Sequence, residues 1–126
     1  MTAVMDAAAL LAVLLDEPGQ DVVFPVLRGS YVSAVNASEC CSRAVERGGS
    51  AAAVLALIRQ FEVETVAFDL RQAIAAADLR QGTRHLGLSL GDRACLALAD
   101  SLTVPIYTGD RRLAQFSGTV DVRLIR

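Results

Sequence analysis

The chain has 126 residues, of which 53% are hydrophobic and 21% charged, and its formal net charge is −2. These values predict one globular domain over residues 1–126 and exclude a disordered segment. All twelve basic residues are Arg, so no P-loop or Schiff-base lysine is possible, and the single histidine, His85, excludes a His-pair zinc site. The small negative charge argues against a protein that holds nucleic acid by net charge alone.

Neither a membrane span nor a disulfide framework is expected. The apolar stretch Ala7–Leu15 is about half the roughly 20 residues that a spanning helix needs. It is preceded by Asp6 instead of a basic segment, so we expect no signal peptide. Three cysteines, including the neighbours Cys40 and Cys41, are best explained as small buried residues of a protein in the reducing cytoplasm.

The first half of the chain alternates short apolar strands with helices. Ala3–Met5 predicts a buried strand, and Ala7–Leu15, apolar on nearly every face, predicts a buried helix that a Pro-Gly pair ends. Gln20–Leu27 fits either a strand or a short irregular helix, and we favour the helix because Pro25 would interrupt a central strand.

The alternation continues to the end of the sequence. Its further predicted elements are a strand at Tyr31–Val35, a helix at Ala37–Arg47 capped by Asn36, a helix at Ala51–Gln60, a strand at Val63–Phe68, a helix from the Asp69 cap to Arg80, a loop at Gly82–Leu88, a helix from Ser89 and Asp92 to Asp100, a strand at Val104–Tyr107, a short helix at Arg111–Gln115 and a strand at Val120–Ile125. This order predicts an α/β domain with a mostly parallel sheet and right-handed crossovers.

Ligands of such sheets bind beyond the carboxyl ends of the strands, and four acids lie at or near those ends. Asp6 directly follows the first strand, and Glu39 lies one turn into the helix after the second. Asp110 comes three residues after the fourth strand, and Asp92 opens the helix that leads into that strand. Carboxylate oxygens suit Mg²⁺ or Mn²⁺, which activate water and stabilise charge on phosphate. Without a cation, four clustered carboxylates would repel one another.

Each of these acids also fits the first turn of a helix. The tetrapeptides that end in Glu39 and Asp92 have the form of a capping box, with Asn36 and Ser89 as the caps. The other two acids could each cap the helix that follows, worth about 1 kcal/mol. The two roles are compatible, because a helix N-terminus favours the ionised carboxylate that a metal ion binds.

Three segments give the chain a resemblance to a known family. They are VMDAAALLAVLLDEPG, VSAVNASE and GLSLGDRACLALADSLTVPIYTGDRRLA. At these segments the sequence resembles the PIN-domain ribonucleases, specifically the VapC toxins of bacterial toxin–antitoxin pairs. The match spans nearly the whole chain in order, and the last segment is the most specific.

The resemblance implies a PIN-like three-layer sandwich, in which helices flank a central, mostly parallel, five-stranded sheet. It implies an endoribonuclease that depends on Mg²⁺ or Mn²⁺ and that has Asp6, Glu39, Asp92 and Asp110 as metal-site acids. Asp6 and Asp92 would be the firmest direct ligands, and Glu39 would act through water or as a helix cap. The implied partners are an RNA substrate, a VapB-type antitoxin that covers the site and a second copy in a homodimer, with no membrane.

One position departs from the family pattern. The family often has a small hydroxyl residue two positions after the first aspartate, where this chain has Ala8. Asn36 and Thr108 could supply comparable polar contacts, or they could be a helix cap and a strand-end turn. Three arginines flank the acidic motifs and could either contact RNA phosphates or lie on a solvated helix face: Arg93, Arg111 and Arg112.

Two other functions fit parts of the pattern. A phospho-acceptor domain, such as a receiver domain or a haloacid-type phosphatase, also has an aspartate after its first strand, but it usually needs a lysine, which this chain lacks. A non-enzymatic PIN domain that binds RNA or protein would be expected to lose one or more of the four acids, and all four are present.

Overall fold

Five short strands form one sheet. The computed structural model describes residues 2–126, and its strands are β1 Val4–Met5, β2 Tyr31–Ser33, β3 Glu64–Val66, β4 Ile106–Thr108 and β5 Val122–Leu124. Their order is β3-β2-β1-β4-β5, and every neighbouring pair is parallel. The mostly parallel five-stranded sheet predicted from the sequence is therefore confirmed, with β1 at its centre.

Helices connect the strands. They are α1 Ala7–Leu14, α2 Gln20–Leu27, α3 Ala34–Glu46, α4 Ala51–Gln60, α5 Leu70–Thr83 and α6 Leu90–Leu102, with single 3₁₀ turns at Arg84–Leu86 and Leu113–Gln115. Within residues 2–126, none of the helices has both the length and the apolar character that crossing a bilayer requires.

The helices pack on both faces of the sheet. Neighbouring strand residues point to opposite faces, and β1 shows the division clearly. Met5 belongs to a core cluster built with residues of α1, α2, α3 and α4. Val4 belongs to a second cluster, which is built mainly with α6 and which α5 joins through Leu79. The two clusters define three layers, as predicted.

The ambiguous segment after α1 is a helix. Gln20–Leu27 forms α2 with Pro25 inside it. Proline removes one backbone donor from the helix, which a helix of eight residues can tolerate near its end. The preference for a helix over a strand is confirmed.

The boundary between β2 and α3 differs from the prediction. The strand ends at Ser33 instead of Val35, and the Ser33 hydroxyl caps α3 by accepting a hydrogen bond from Val35 N at 3.3 Å. Asn36 therefore lies inside the first turn, and the predicted capping box of Asn36 and Glu39 is wrong. The physical reason is that the serine three residues upstream is an equally good cap, which leaves the asparagine side chain for a contact across the fold.

The predicted loop at Gly82–Leu88 is only partly a loop. Helix α5 continues to Thr83 and is followed by a 3₁₀ turn that ends at Gly87, whose φ is 64°. Glycine enters this left-handed region without a steric penalty. The helix predicted at Arg111–Gln115 is likewise reduced to the 3₁₀ turn Leu113–Gln115.

Candidate active site

The four predicted acids line one cavity of about 450 Å³ at the carboxyl edge of the sheet. The cavity walls come from the segments after β1, β4 and β5, from α3 and from the first turn of α6. All four acidic side chains are in its lining: Asp6, Glu39, Asp92 and Asp110. Four segments that are distant in sequence thus bring one carboxylate each to one place.

Asp6 is the most buried of the four acids, with 7% of its surface exposed. Its Oδ1 accepts a hydrogen bond from Ala9 N at 2.8 Å and so caps α1, and its Oδ2 accepts one from the Thr108 hydroxyl at 2.5 Å. Burial raises the pKa of Asp6 to about 6, although both hydrogen bonds lower it. Asp92 raises this pKa further and Arg43 lowers it. A cation in the cavity would favour the ionised form.

Thr108 joins two of the acids. Its fully buried hydroxyl donates to Asp6 Oδ2 and accepts a hydrogen bond from Asp110 N at 2.9 Å. The contact follows from the sheet, because β1 and β4 are neighbouring parallel strands with Met5 opposite Tyr107. The supporting polar role predicted for Thr108 therefore has a definite geometry.

Asp110 lies in a turn and does not cap an α-helix. Its Oδ1 accepts a hydrogen bond from Arg112 N at 2.8 Å, and the same oxygen lies 3.7 Å from Arg112 Nε. The next helical residues are the 3₁₀ turn that starts at Leu113. The interpretation of Asp110 as a cap for the following helix is replaced by a local turn in which the carboxylate faces the cavity.

Asn36 links α3 to α6. Its Nδ2 donates to Glu39 Oε1 at 3.1 Å and to Gly91 O at 3.2 Å. Both partners are acceptors, so the amide nitrogen must face them, and the buried Oδ1 has no hydrogen-bond donor among residues 2–126. An unpaired buried acceptor costs about 1–3 kcal/mol. Asn36 lines the cavity, while its Oδ1 is buried and unsatisfied.

Asp92 combines a cap with a place in the cavity. Its Oδ2 accepts a hydrogen bond from Ser89 N at 2.9 Å, and its backbone N–H donates to the Ser89 hydroxyl at 3.2 Å. The capping box predicted at Ser89 is confirmed. The same carboxylate lines the cavity, so the cap does not remove it from the candidate site.

Ala8, the residue that departs from the family pattern, also lines the cavity. A Cβ atom added to Gly109 would lie 2.9 Å from the Ala8 Cβ. The Ala8 methyl group thus packs closely against the backbone of Gly109 in the cavity wall.

Of the three predicted phosphate-binding arginines, two are at the cavity. Arg111 and Arg112 line it. Arg93 is not in the lining, because its Nη1 donates to Ala76 O of α5 at 3.1 Å and the side chain is directed to that helix. The structure therefore does not bring Arg93 together with the other two arginines at the cavity.

Two further arginines, which the sequence patterns did not indicate, line the cavity. Arg43 lies four residues after Glu39 on α3, with Nη2 3.9 Å from Glu39 Oε2. This helical spacing was a usable signal. Arg126 lines the cavity and donates from Nη1 to Pro18 O at 3.1 Å. It lies far from every motif in the sequence, so only the tertiary structure reveals it.

The acidic side chains of the cavity are candidate ligands for a divalent cation. Within residues 2–126, no three His, Cys, Asp or Glu side chains converge closely enough to form a ready-made metal site. The acids are instead held by hydrogen bonds within their own segments. The lining holds four carboxylates beside four arginines. Its carboxylate oxygens nevertheless fit a cation such as Mg²⁺, which keeps several waters and takes only one or two carboxylates directly. The residues fit a hydrated Mg²⁺ or Mn²⁺ and do not form a closed cage.

The sequence is similar to a known protein family. The family model described as "PIN domain" matches residues 3–118. No curated protein matches the sequence significantly.

Several solved structures share the fold. A toxin–antitoxin complex from Klebsiella pneumoniae is 18% identical with a TM-score of 0.73, and 94% of each chain is covered. VapBC2 from Rickettsia felis, bound to a DNA fragment from its promoter, is 13% identical with a TM-score of 0.71 and 97% coverage of each chain. VapBC-5 from Mycobacterium tuberculosis is 19% identical with a TM-score of 0.66 and 98% coverage of each chain.

Proposed function

The chain belongs to the PIN domain family, and on that premise we propose that it is a metal-dependent endoribonuclease that hydrolyses RNA phosphodiester bonds. The observation that carries this proposal is that four carboxylates, from four separate segments, line one cavity at the carboxyl edge of the sheet. Folding alone gives no reason to gather like charges in this way, because they repel one another.

In this proposal Asp6 and Asp92 hold Mg²⁺ or Mn²⁺ directly. Asp110 is a further ligand, and Glu39 acts directly or through water. When bound, the cation would make water easier to deprotonate and stabilise the negative charge that develops on the phosphate oxygens.

The residues around the acids position them and the substrate. Thr108 fixes one oxygen of Asp6 and the backbone of Asp110. Asn36 orients Glu39 by donating a hydrogen bond from Nδ2 to its Oε1. Arg111 and Arg112 bind RNA phosphates beside the acids. They supply local positive charge beside the acids, which the formal net charge of −2 does not provide for RNA.

We further propose that the protein is the toxin of a type II toxin–antitoxin pair. The support is the VapC-like motifs of the sequence and the fold shared with chains from toxin–antitoxin complexes. A VapB-type antitoxin would cover the cavity, and the toxin would form a homodimer or a hetero-oligomer with the antitoxin. The closing of an acidic cavity by a partner would keep RNA away from the carboxylates.

One observation favours a second candidate function. No three of the acidic, His or Cys side chains within residues 2–126 converge into a ready-made metal site, as would be expected of a PIN-type module that binds RNA or protein without cleaving it. The two functions differ in whether the cavity binds a cation.

Isothermal titration with Mn²⁺ of the wild type and Asp92→Asn separates them. The asparagine keeps an acceptor for Ser89 N, so the cap persists while the charge is lost. We expect the wild type to bind Mn²⁺ and the variant to bind it at least about tenfold more weakly. Asp69→Asn is the matched control, since Asp69 caps α5 by accepting a hydrogen bond from Gln72 N and does not line the cavity.

The same samples test catalysis. We expect RNA cleavage by the wild type and by Asp69→Asn to stop in EDTA and to return when Mn²⁺ is added in excess. Absence of Mn²⁺ binding in the wild type, or cleavage that persists in EDTA, would contradict the proposed function.

A further inference from the structure

Gly91 lies where α3 meets the first turn of α6. Its carbonyl oxygen accepts a hydrogen bond from Asn36 Nδ2 at 3.2 Å. The Glu39 carboxylate occupies the space that a side chain at position 91 would fill. A Cβ atom built there would lie 2.8 Å from Glu39 Cδ and 3.1 Å from Oε2, and closer still to Oε1. Two cavity residues of α3 therefore contact position 91, and one of them, Glu39, needs the space that a side chain there would fill.

The backbone gives no reason for a glycine here. Gly91 is the second residue of α6 and is buried, and it is not among the glycines with positive φ, such as Gly87. Alanine can adopt this conformation, and it is favoured over glycine inside a helix by roughly 0.5–1 kcal/mol. The glycine thus costs helix stability, and what it provides is space.

We propose that Gly91 is a positioning residue that holds the Glu39 carboxylate in the cavity beside Asp92. Because it has no side chain, the carboxylate can lie directly against the first turn of α6. Its carbonyl oxygen also fixes the Asn36 amide in the orientation that leaves Oδ1 unsatisfied. The inference rests on the proposed function only in treating Glu39 as a member of the metal site.

The structure predicts how Gly91→Ala would be accommodated. The close contacts of the new Cβ are all with the end of the Glu39 side chain, which is flexible, so the backbone need not move. Glu39 would rotate away from α6, and the hydrogen bond from Asn36 Nδ2 to Oε1 would be lost. The fold would remain while one carboxylate leaves its position.

Gly91→Ala should consequently weaken Mn²⁺ binding without lowering the stability of the fold. We expect Gly91→Ala to melt at the same temperature as the wild type or higher, and to bind Mn²⁺ about tenfold more weakly, which is within the range for the loss of a supporting contact at a metal site. Gly82→Ala is the matched control. Gly82 lies in α5 with nothing within 4 Å of an added Cβ, so its substitution should not change Mn²⁺ affinity.

A double-mutant cycle with Glu39→Ala tests whether the effect passes through Glu39. In that background we expect Gly91→Ala to have no further effect on Mn²⁺ affinity, because no carboxylate remains to be displaced. The inference would be overturned if Gly91→Ala lowered Mn²⁺ affinity equally in the wild-type and Glu39→Ala backgrounds, or if Gly91→Ala alone kept wild-type affinity. Either result would leave the proposed function intact.

A crystal structure of metal-free Gly91→Ala tests the inference independently of any metal. We expect the Glu39 carboxylate to have left its position over α6. A carboxylate that is still hydrogen-bonded to Asn36 would overturn the inference. If wild-type protein neither binds Mn²⁺ nor cleaves RNA, the proposed function fails, and this structure still decides the role of Gly91.

Discussion

The two sides of the acidic cavity are built differently. On one side, Asp6, Thr108 and Asp110 follow the neighbouring strands β1 and β4, and the strand pairing itself brings them together. On the other side, Glu39 lies against Gly91 only because α3 packs on α6, with a hydrogen bond between residues 55 positions apart. The strand side is fixed by the backbone, whereas the helix side depends on side-chain packing.

The two sides of the cavity also differ in burial and charge. Asp6 on the strand side is 7% exposed, and its pKa is raised by burial. The Glu39 side chain on the helix side is 36% exposed and lies 3.9 Å from Arg43. Loss of the Thr108 hydroxyl on the strand side should therefore disturb both catalysis and folding, while a loss on the helix side should affect catalysis mainly.

The largest effect is expected from Asp6→Asn. The change removes the charge of a direct ligand and keeps an acceptor for Ala9 N, while the amide nitrogen takes the place of the oxygen that faces the Thr108 hydroxyl. RNA cleavage should fall by more than the roughly 10–100-fold that the loss of a supporting partner costs. The melting temperature should stay the same or rise, because an isolated buried charge is removed. A large fall in melting temperature would show that Asp6 is mainly a structural cap.

A smaller effect, on both activity and stability, is expected from Thr108→Val. Valine has nearly the same shape but leaves Asp6 Oδ2 without a donor and Asp110 N without an acceptor. We expect the free energy of unfolding to fall by about 1–3 kcal/mol and cleavage to fall roughly 10–100-fold, measured by urea denaturation and a cleavage assay.

Glu39→Gln is the counterpart of this variant on the helix side. It keeps an acceptor for the Asn36 amide, so cleavage should fall while the urea midpoint changes little. Equal destabilisation by Thr108→Val and Glu39→Gln would remove the distinction between the two sides.

An effect on stability alone, without a change in sequence, is expected from pH in the metal-free protein. Because the folded pKa of Asp6, about 6, lies above its ordinary value of 3.8, the folded protein holds this proton more tightly than the unfolded chain. The contribution of Asp6 therefore favours folding at low pH and is lost as the pH rises from about 4 to 6, by up to about 3 kcal/mol.

Urea denaturation of wild type and Asp6→Asn across this pH range isolates that contribution. The difference in unfolding free energy between the variant and the wild type should grow as the pH rises and level off above 6. A difference that is constant with pH would mean that burial does not raise the pKa of Asp6.

The sequence was informative where the site follows directly from strand ends. Asp6 and Asp110 could be placed because each comes soon after an apolar strand, and parallel strands end at one edge. The capping box at Ser89 was also readable, since it is local. Asn36 was misassigned because Ser33 and Asn36 are both good caps, and only the packing of α3 on α6 decides which one has another partner.

The remaining features depend on contacts between distant segments. Arg93 looks equivalent to Arg111 in the sequence, but its contact with Ala76 O on α5 removes it from the cavity. Arg126 reaches the cavity from outside all the motifs. The role of Gly91 is visible only from the space that the Glu39 carboxylate occupies.

The most direct test of a metal site built from these acids is the anomalous scattering of a crystal soaked in Mn²⁺. We expect a peak in the cavity about 2–2.3 Å from carboxylate oxygens of Asp6 and Asp92, and no such peak in Asp92→Asn. A wild-type crystal without a peak in the cavity, or with Mn²⁺ bound only elsewhere, would contradict the account.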